Sequence, residues 1–374
     1  MGVGRSRSAL GHLRLVLTVI FVLVWRSAAG QTSASPASPA PPPDEAAAEQ
    51  GASSPELNIR FYGDVRFRTG DATAPATFAL GQLDLFATSR LGENVSVLAE
   101  VVFEAGEDNA YVVDVERLLL QYAPREWLNL AAGRYHTMIG YYNAAYHHGT
   151  WFQTAVDRPF LFVFEDEGGI LPIHNVGLSA TGRLPLGRLG LHYVAEVGNG
   201  RASRSPEAEA PQSVADENDR KAFNLGLYVR PDALGALQAG ISLYRDRLEP
   251  AQQPRVGEAI LAVHLVYKGR TIELLNEALV IRHTPAGGST RQTRGFYAQA
   301  AVRRGDFQPY VRYEYVDAPA DDPVLASTGR RHGPSLGLRY DRGRFTALKA
   351  EYQRTSARGF LVRDALTVQV AFTF

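Results

Sequence analysis

Ala365-Leu366-Thr367-Val368-Gln369-Val370-Ala371-Phe372-Thr373-Phe374 closes the chain and decides how the rest is read. Leu366, Val368, Val370, Phe372 and Phe374 form one apolar face, and Thr367, Gln369, Ala371 and Thr373 form a small or polar one. A repeat of two belongs to a strand with different surroundings on its two sides. So apolar an edge strand invites aggregation in water. In lipid it fits a closed barrel, which has no edge.

The pattern continues upstream. Leu57, Ile59, Phe61, Val65 and Phe67 alternate with Asn58, Arg60, Tyr62, Asp64, Arg66 and Arg68. A soluble sandwich turns the apolar set inward, whereas a membrane barrel turns it to lipid and keeps the charges in the lumen. Further stretches of this kind fall near residues 78–91, 95–104, 112–122, 127–135, 175–184, 188–198, 222–230 and 236–245. The rest fall near 258–267, 271–282, 295–303, 307–316, 334–341, 345–353 and 365–374. The expected fold is therefore all-β, a sixteen-stranded antiparallel transmembrane barrel, with fourteen or eighteen strands as the neighbouring even counts. Short turns such as Gly92-Glu93-Asn94, Lys268-Gly269-Arg270 and Asp341-Arg342-Gly343 alternate with longer links at 199–220, 246–257, 283–294, 317–332 and 354–364. Short turns on one side and long loops on the other are expected of an outer-membrane barrel. In the fourth strand, Leu118, Leu120 and Tyr122 are expected to face outward, which puts Asp114 and Glu116 on the same face. Outward carboxylates belong at the external interface or against a neighbouring subunit, as in a trimer.

The amino end agrees with export. Arg5, Arg7 and Arg14 accompany an apolar run over residues 15–25, followed by Ser27-Ala28-Ala29-Gly30. That reads as a signal peptide over 1–30, since the run is too short to span about 30 Å of hydrocarbon as a helix. Residues 31–56 are Ala, Ser and Pro with few acids, including Pro41-Pro42-Pro43, and are expected to be a disordered periplasmic linker. Residues 57–374 are the expected barrel, placed by this export signal in the bacterial outer membrane and in contact with its lipid.

Composition narrows the chemistry. Lys+Arg 39 against Asp+Glu 39 gives no net charge, so nucleic acid is not an expected partner. There is no cysteine, hence no disulfide scaffold or thiol chemistry. The mean hydropathy of -0.16 is ordinary where only alternate residues meet lipid. Lys221, Lys268 and Lys349 are the only lysines and are scattered, which argues against a cationic phosphate-selective lumen. Ser179 and His192 lie on adjacent expected strands, but no Gly-x-Ser-x-Gly is present, so neither an enzyme nor a cofactor is expected.

The link from about 136 to 174 is the longest, and a loop of that length is usually functional or disordered. Tyr141, Tyr142, Tyr146, Trp151, Phe152, Phe160, Phe162 and Phe164 need a surface to pack on. Folding inward onto the wall buries them and narrows the lumen. Opposite fixed charges across a constriction select solutes by charge. The loop offers Asp157, Arg158, Glu165, Asp166 and Glu167, and the inward positions offer Arg60, Arg66, Arg183, Arg312 and Arg339. His136, His147, His148 and His174 are candidate metal ligands, although their spacing fits no zinc signature.

Gly133-Arg134-Tyr135-His136-Thr137-Met138-Ile139-Gly140-Tyr141-Tyr142-Asn143, continued by Tyr146-His147-His148-Gly149 and Asp157-Arg158-Pro159, resembles a porin-like group of Gram-negative outer-membrane proteins. In that group a Gly-Arg/Lys-aromatic-x-x-Pro-x-Gly stretch leads into the third loop; Met138 stands where the Pro usually is. The whole pattern resembles the sixteen-stranded bacterial porins, whose third loop folds inward as a constriction. The final strand resembles those whose last aromatic residue, here Phe374, is read by the barrel-assembly machinery. These resemblances imply a homotrimeric porin passing small hydrophilic solutes or ions passively. The alternative is a plugged barrel with a structural, adhesive or ligand-binding role at the cell surface.

Overall fold

A computed structural model describes residues 56–70, 75–105, 110–146, 149–165, 167–203, 215–250, 254–358 and 362–374. The expected signal peptide and all but Glu56 of the expected linker lie outside these residues. Sixteen strands follow one another: β1 (Glu56–Thr69), β2 (Thr77–Arg90), β3 (Val95–Ala105), β4 (Tyr111–Arg125), β5 (Leu128–His136), β6 (His174–Arg183), β7 (Leu191–Gly198) and β8 (Ala222–Val229). Then come β9 (Leu237–Leu248), β10 (Val256–Lys268), β11 (Ile272–Pro285), β12 (Arg291–Val302), β13 (Phe307–Asp317), β14 (Arg330–Arg342), β15 (Thr346–Ala357) and β16 (Arg363–Thr373).

Each strand pairs with its neighbours in sequence, and β1 pairs with β16 to close the ring. The closing register runs from Tyr62↔Thr373 to Thr69↔Leu366. It is finished by Phe61 and Phe374, whose amides and carbonyls exchange hydrogen bonds of 3.0 and 3.1 Å and whose rings stack at 5.1 Å. The apolar terminal strand thus has a partner on both sides.

Along each strand the side chains divide between two environments. On β9, Ile241 and Leu243 are exposed while Ser242 and Tyr244 are buried. Phe223, Leu225 and Leu227 on β8, Leu261, Val263 and Leu265 on β10, and Val311 and Tyr313 on β13 are exposed in the same way, as a lipid-facing band requires. One rim, the turn rim, holds links 91–94, 126–127, 184–190, 230–236, 269–271, 303–306 and 343–345. The opposite, loop rim holds 70–76, 106–110, 137–173, 199–221, 249–255, 286–290, 318–329 and 358–362.

Three features depart from the sequence expectation. Link lengths do not alternate strictly: 184–190 on the turn rim outlasts 286–290 on the loop rim. Strands β11 and β12 run past the apolar band as polar hairpin, pairing Arg282↔Gln292 and His283↔Arg291, where the alternation had already ended. Second, Asp114 and Glu116 do not share the outward face of Leu118. The β3–β4 register shifts between Glu100↔Arg117 and Val101↔Val115, so Glu116 is the extra residue of a bulge. One inserted residue reverses the faces beyond it. Val113 and Val115 are exposed, Asp114 is half-buried, and Glu116 is buried.

Third, the inner wall is not uniformly polar. On β10 the buried face carries Ile260, Ala262 and Val266 while Leu261, Val263 and Leu265 are exposed. On β11 it carries Leu275, Leu279 and Ile281. A strand apolar on both faces is buried on both. Something apolar must therefore cover this arc from within.

Candidate functional site

Residues 137–173 supply that cover, and the local sequence explains how they enter. Gly140 has φ +75°, a backbone form that favours glycine, and a Cβ there would meet the Glu277 carboxylate. The turn aims three successive amides at the wall. Gly140 N donates to Ser242 Oγ at 3.1 Å, and Tyr141 N and Tyr142 N donate to Glu277 at 2.6 and 2.9 Å. Tyr297 Oη donates to the same carboxylate at 2.8 Å. A single helical turn, Tyr142–Ala145, follows.

The chain then descends. Tyr146 Oη accepts from Lys268 Nζ at 2.8 Å, and Lys268 is the last residue of β10 at the turn rim. Two 3-10 turns, Thr150–Phe152 and Phe160–Phe162, carry the rest. Lys349 Nζ donates to the carbonyls of Thr150 and Ala155 at 2.6 and 3.0 Å. Arg339 Nη1 donates to those of Trp151 and Gln153 at 2.7 and 2.8 Å. Arg312 Nη1 reaches the Asp157 carbonyl at 2.8 Å, and Phe160 N donates to Glu314 Oε1 at 2.8 Å. Buried backbone polar groups must find partners, and here side chains of β9, β11, β13, β14 and β15 provide them.

Between these anchors lies an apolar core. Ile139, Tyr142, Leu161, Phe162, Ile170 and Leu171 bury against Tyr244, Ile260, Leu275, Leu279 and Tyr297. The Tyr142 and Phe162 rings stack at 5.4 Å, and Phe162 meets Tyr297 edge-on at 6.0 Å. The loop is fastened as a protein interior is, by packing plus satisfied polar groups.

The residues singled out from the sequence fall into three sets. Arg66, Asp157, Arg312 and Arg339 come together at the loop: Arg66 Nη1 is 3.2 Å from Asp157 Oδ1, both half-exposed, whereas Arg312 is fully buried. Arg158 turns into the loop itself, donating to the Phe162 carbonyl at 2.5 Å with its guanidinium 4.1 Å from the Phe164 ring centre. Glu165 accepts the amides of Ile173 and His174 at 2.5 and 3.0 Å. Glu167 is exposed. Arg60 is exposed towards the turn rim, and Arg183 pairs there with Asp232 at 2.6 Å, away from the others. Asp166, His147 and His148 lie outside the described residues. Ser179 stands opposite Glu196 and His192 opposite Arg183, so the register separates that pair.

Sequence reasoning passed over Lys349, Ser242 and Tyr297, which hold the loop. The one available signal was the double-sided apolar run on β10, which implied an occupant inside.

Burial pushes the Glu165 carboxyl up, but the His174 charge and the hydrogen bonds outweigh it and hold Glu165 below the ordinary glutamate range. Its contribution is therefore full above the unfolded value of about 4.3 and is lost as pH falls through the lower folded value. We expect limited proteolysis of the loop to accelerate as pH drops below about 4, and Glu165→Gln to remove that acid-dependent step. An identical pH profile in the variant would refute the assignment.

No protein-family model matches the chain, and no curated protein does. Solved structures do match. The anion-selective porin of Comamonas acidovorans is 14% identical at TM-score 0.58, covering 86% of this chain and 100% of its own. The fold is that of the sixteen-stranded porins. The outer-membrane channel DcaP of Acinetobacter baumannii is 12% identical at TM-score 0.59, over 86% of this chain and 99% of that one. Salmonella typhi OmpF, in complex with daunomycin, is 13% identical at TM-score 0.58, over 85% and 97%. At such identities the likeness extends to the porin fold and no further.

Proposed function

We propose that this porin-fold barrel is a passive diffusion channel of the bacterial outer membrane, admitting small hydrophilic solutes or ions past a fixed, off-centre third loop. The observation carrying this reading is the uneven wetting of the interior. Inner positions of β10 and β11 are buried beneath the loop; on β1 to β6 Asp64, Asp84, Glu100 and Arg117 are buried too, but Arg66, Gln82, Glu104, Asp114, Asn129, Ser179 and Thr181 are half-exposed and polar. A polar, partly hydrated arc facing an immobile loop is the arrangement through which water and ions pass.

In this reading Arg66 with Asp157, beside exposed Glu167, makes the charged part of the filter. The porin neighbours, and a trimeric form of Vibrio cholerae OmpT among them, support a homotrimer in the outer membrane. Phe374 on the assembly strand and export by the amino-terminal segment complete the proposal. A second reading, a barrel closed by its loop, is favoured by the descent of that loop to Lys268.

Planar bilayers separate the two. Stepwise conductance from purified protein supports the channel; a silent membrane with insertion confirmed by gel mobility supports the plug. Arg66→Glu is expected to shift the reversal potential in a salt gradient towards cations. An unchanged potential would remove Arg66 and Asp157 from the filter.

A further inference from the structure

The wall has a seam. Strands β4 and β5 stop pairing at Leu118↔Arg134. Beyond it β4 continues to Tyr111 beside β3, and the β5–β6 hairpin continues to His136↔His174. Side chains fill the gap where the backbone ladder ends. They are Glu116, the extra residue of the bulge, with His136 and His174, all buried.

One ligand atom from each of the three lies within 4.8 Å of the other two. His174 Nε2 is 2.5 Å from Glu116 Oε2, and the two imidazole centres are 4.9 Å apart. Behind them Glu165 Oε2 is 3.2 Å from His174 Nδ1, and Glu165 is itself fixed by the Ile173 and His174 amides. Arg134 also reaches the seam, donating Nε to the Glu116 carbonyl at 3.2 Å.

We propose that Glu116, His136 and His174 bind a divalent transition-metal ion of the class that takes imidazole nitrogen together with carboxylate oxygen. In the metal-free site a proton on His174 Nε2 joins it to the Glu116 carboxylate, and a metal ion would displace that proton while the Nδ1 proton stays directed at Glu165. A proton joins two atoms, whereas a metal ion takes all three donors that converge here. Zinc bonds of about 2.0–2.2 Å put the donors of a tetrahedral site a little over 3 Å apart. The donors stand on three separate strands, at 2.5 Å for His174 Nε2 and Glu116 Oε2 and within 4.8 Å for all three, which brackets that spacing. Glu165 on Nδ1 is the outer carboxylate that commonly orients a metal-bound histidine. The ion would tie β4 to the β5–β6 hairpin where no ladder does. This role does not depend on whether the barrel conducts.

The test uses the full folded barrel, stripped with EDTA, in a His147→Ala/His148→Ala background that removes the other loop imidazoles. Calorimetry with Zn2+ and visible absorption with Co2+ are expected to show one ion bound. His136→Ala and Glu116→Gln should each weaken binding at least tenfold, and Glu165→Gln roughly ten- to a hundredfold. Zn2+ should also raise the temperature at which the barrel loses its compact mobility on SDS gels. Should a variant fail to fold, Cu2+ bound to the background protein should show two nitrogen couplings by electron paramagnetic resonance. No binding in the background protein, binding unchanged by His136→Ala, or fewer than two nitrogens would each overturn the site.

Discussion

Leu161→Ala/Phe162→Ala should raise single-channel conductance severalfold while leaving the barrel folded. Both side chains are 1% exposed, and both pack against β12. Phe162 meets Tyr142 and Tyr297, and Leu161 lies against Gly295, where a Cβ would collide with it. Truncating a buried leucine or phenylalanine costs about 2–5 kcal/mol. That loss falls on the docking of residues 137–173, because the ring of sixteen paired strands makes no use of either side chain. The undocked loop would widen the passage and expose Arg158 to trypsin. Trypsin cleavage without a rise in conductance would show that the loop does not set the passage.

The second large effect concerns a charge. Arg312→Met is expected to destabilise the folded protein by roughly 3–5 kcal/mol, because removing one partner of a buried pair strands the other. Arg312 and Glu314 are 0% and 1% exposed, with Nε and Oε1 3.4 Å apart, and each also holds a loop backbone group. Arg312→Met/Glu314→Gln should recover most of the loss, since a neutral amide still accepts the Phe160 amide. Urea unfolding in detergent micelles measures both. If the double variant is no more stable than the single, the pair is not the source of the penalty.

Much of the fold was legible because a period of two is a local signal. The face of Leu366, Val368 and Val370 could be read without knowing any partner, and the same rule found the other strands. It failed at Glu116, since one inserted residue reverses the faces and leaves no mark in the letters. That error also hid Glu116 from the histidines it joins. The anchors of the loop were illegible for another reason. Lys349 and the Thr150 carbonyl are 199 residues apart, and such pairings exist only once the ring has closed. By contrast, the aromatic density of the loop did show that it needed a surface. Where that surface lay was carried by the run of Ile260, Ala262 and Val266 between Leu261, Val263 and Leu265, which in the sequence reads only as one more strand.

That inner stripe on β10 and β11 bears on how the protein can change over time. In a lumen with a polar wall, a loop can lift and water takes its place. Here the vacated stripe would be one that water leaves rather than fills, so withdrawal of the loop is opposed by dewetting as well as by lost contacts. A filter built into a hydrophobic core cannot be retuned at its buried residues without loosening the docking of the loop. Variation that alters which solutes pass is therefore directed to the half-exposed positions of β1 to β6, such as Asp114, Asn129, Ser179 and Thr181.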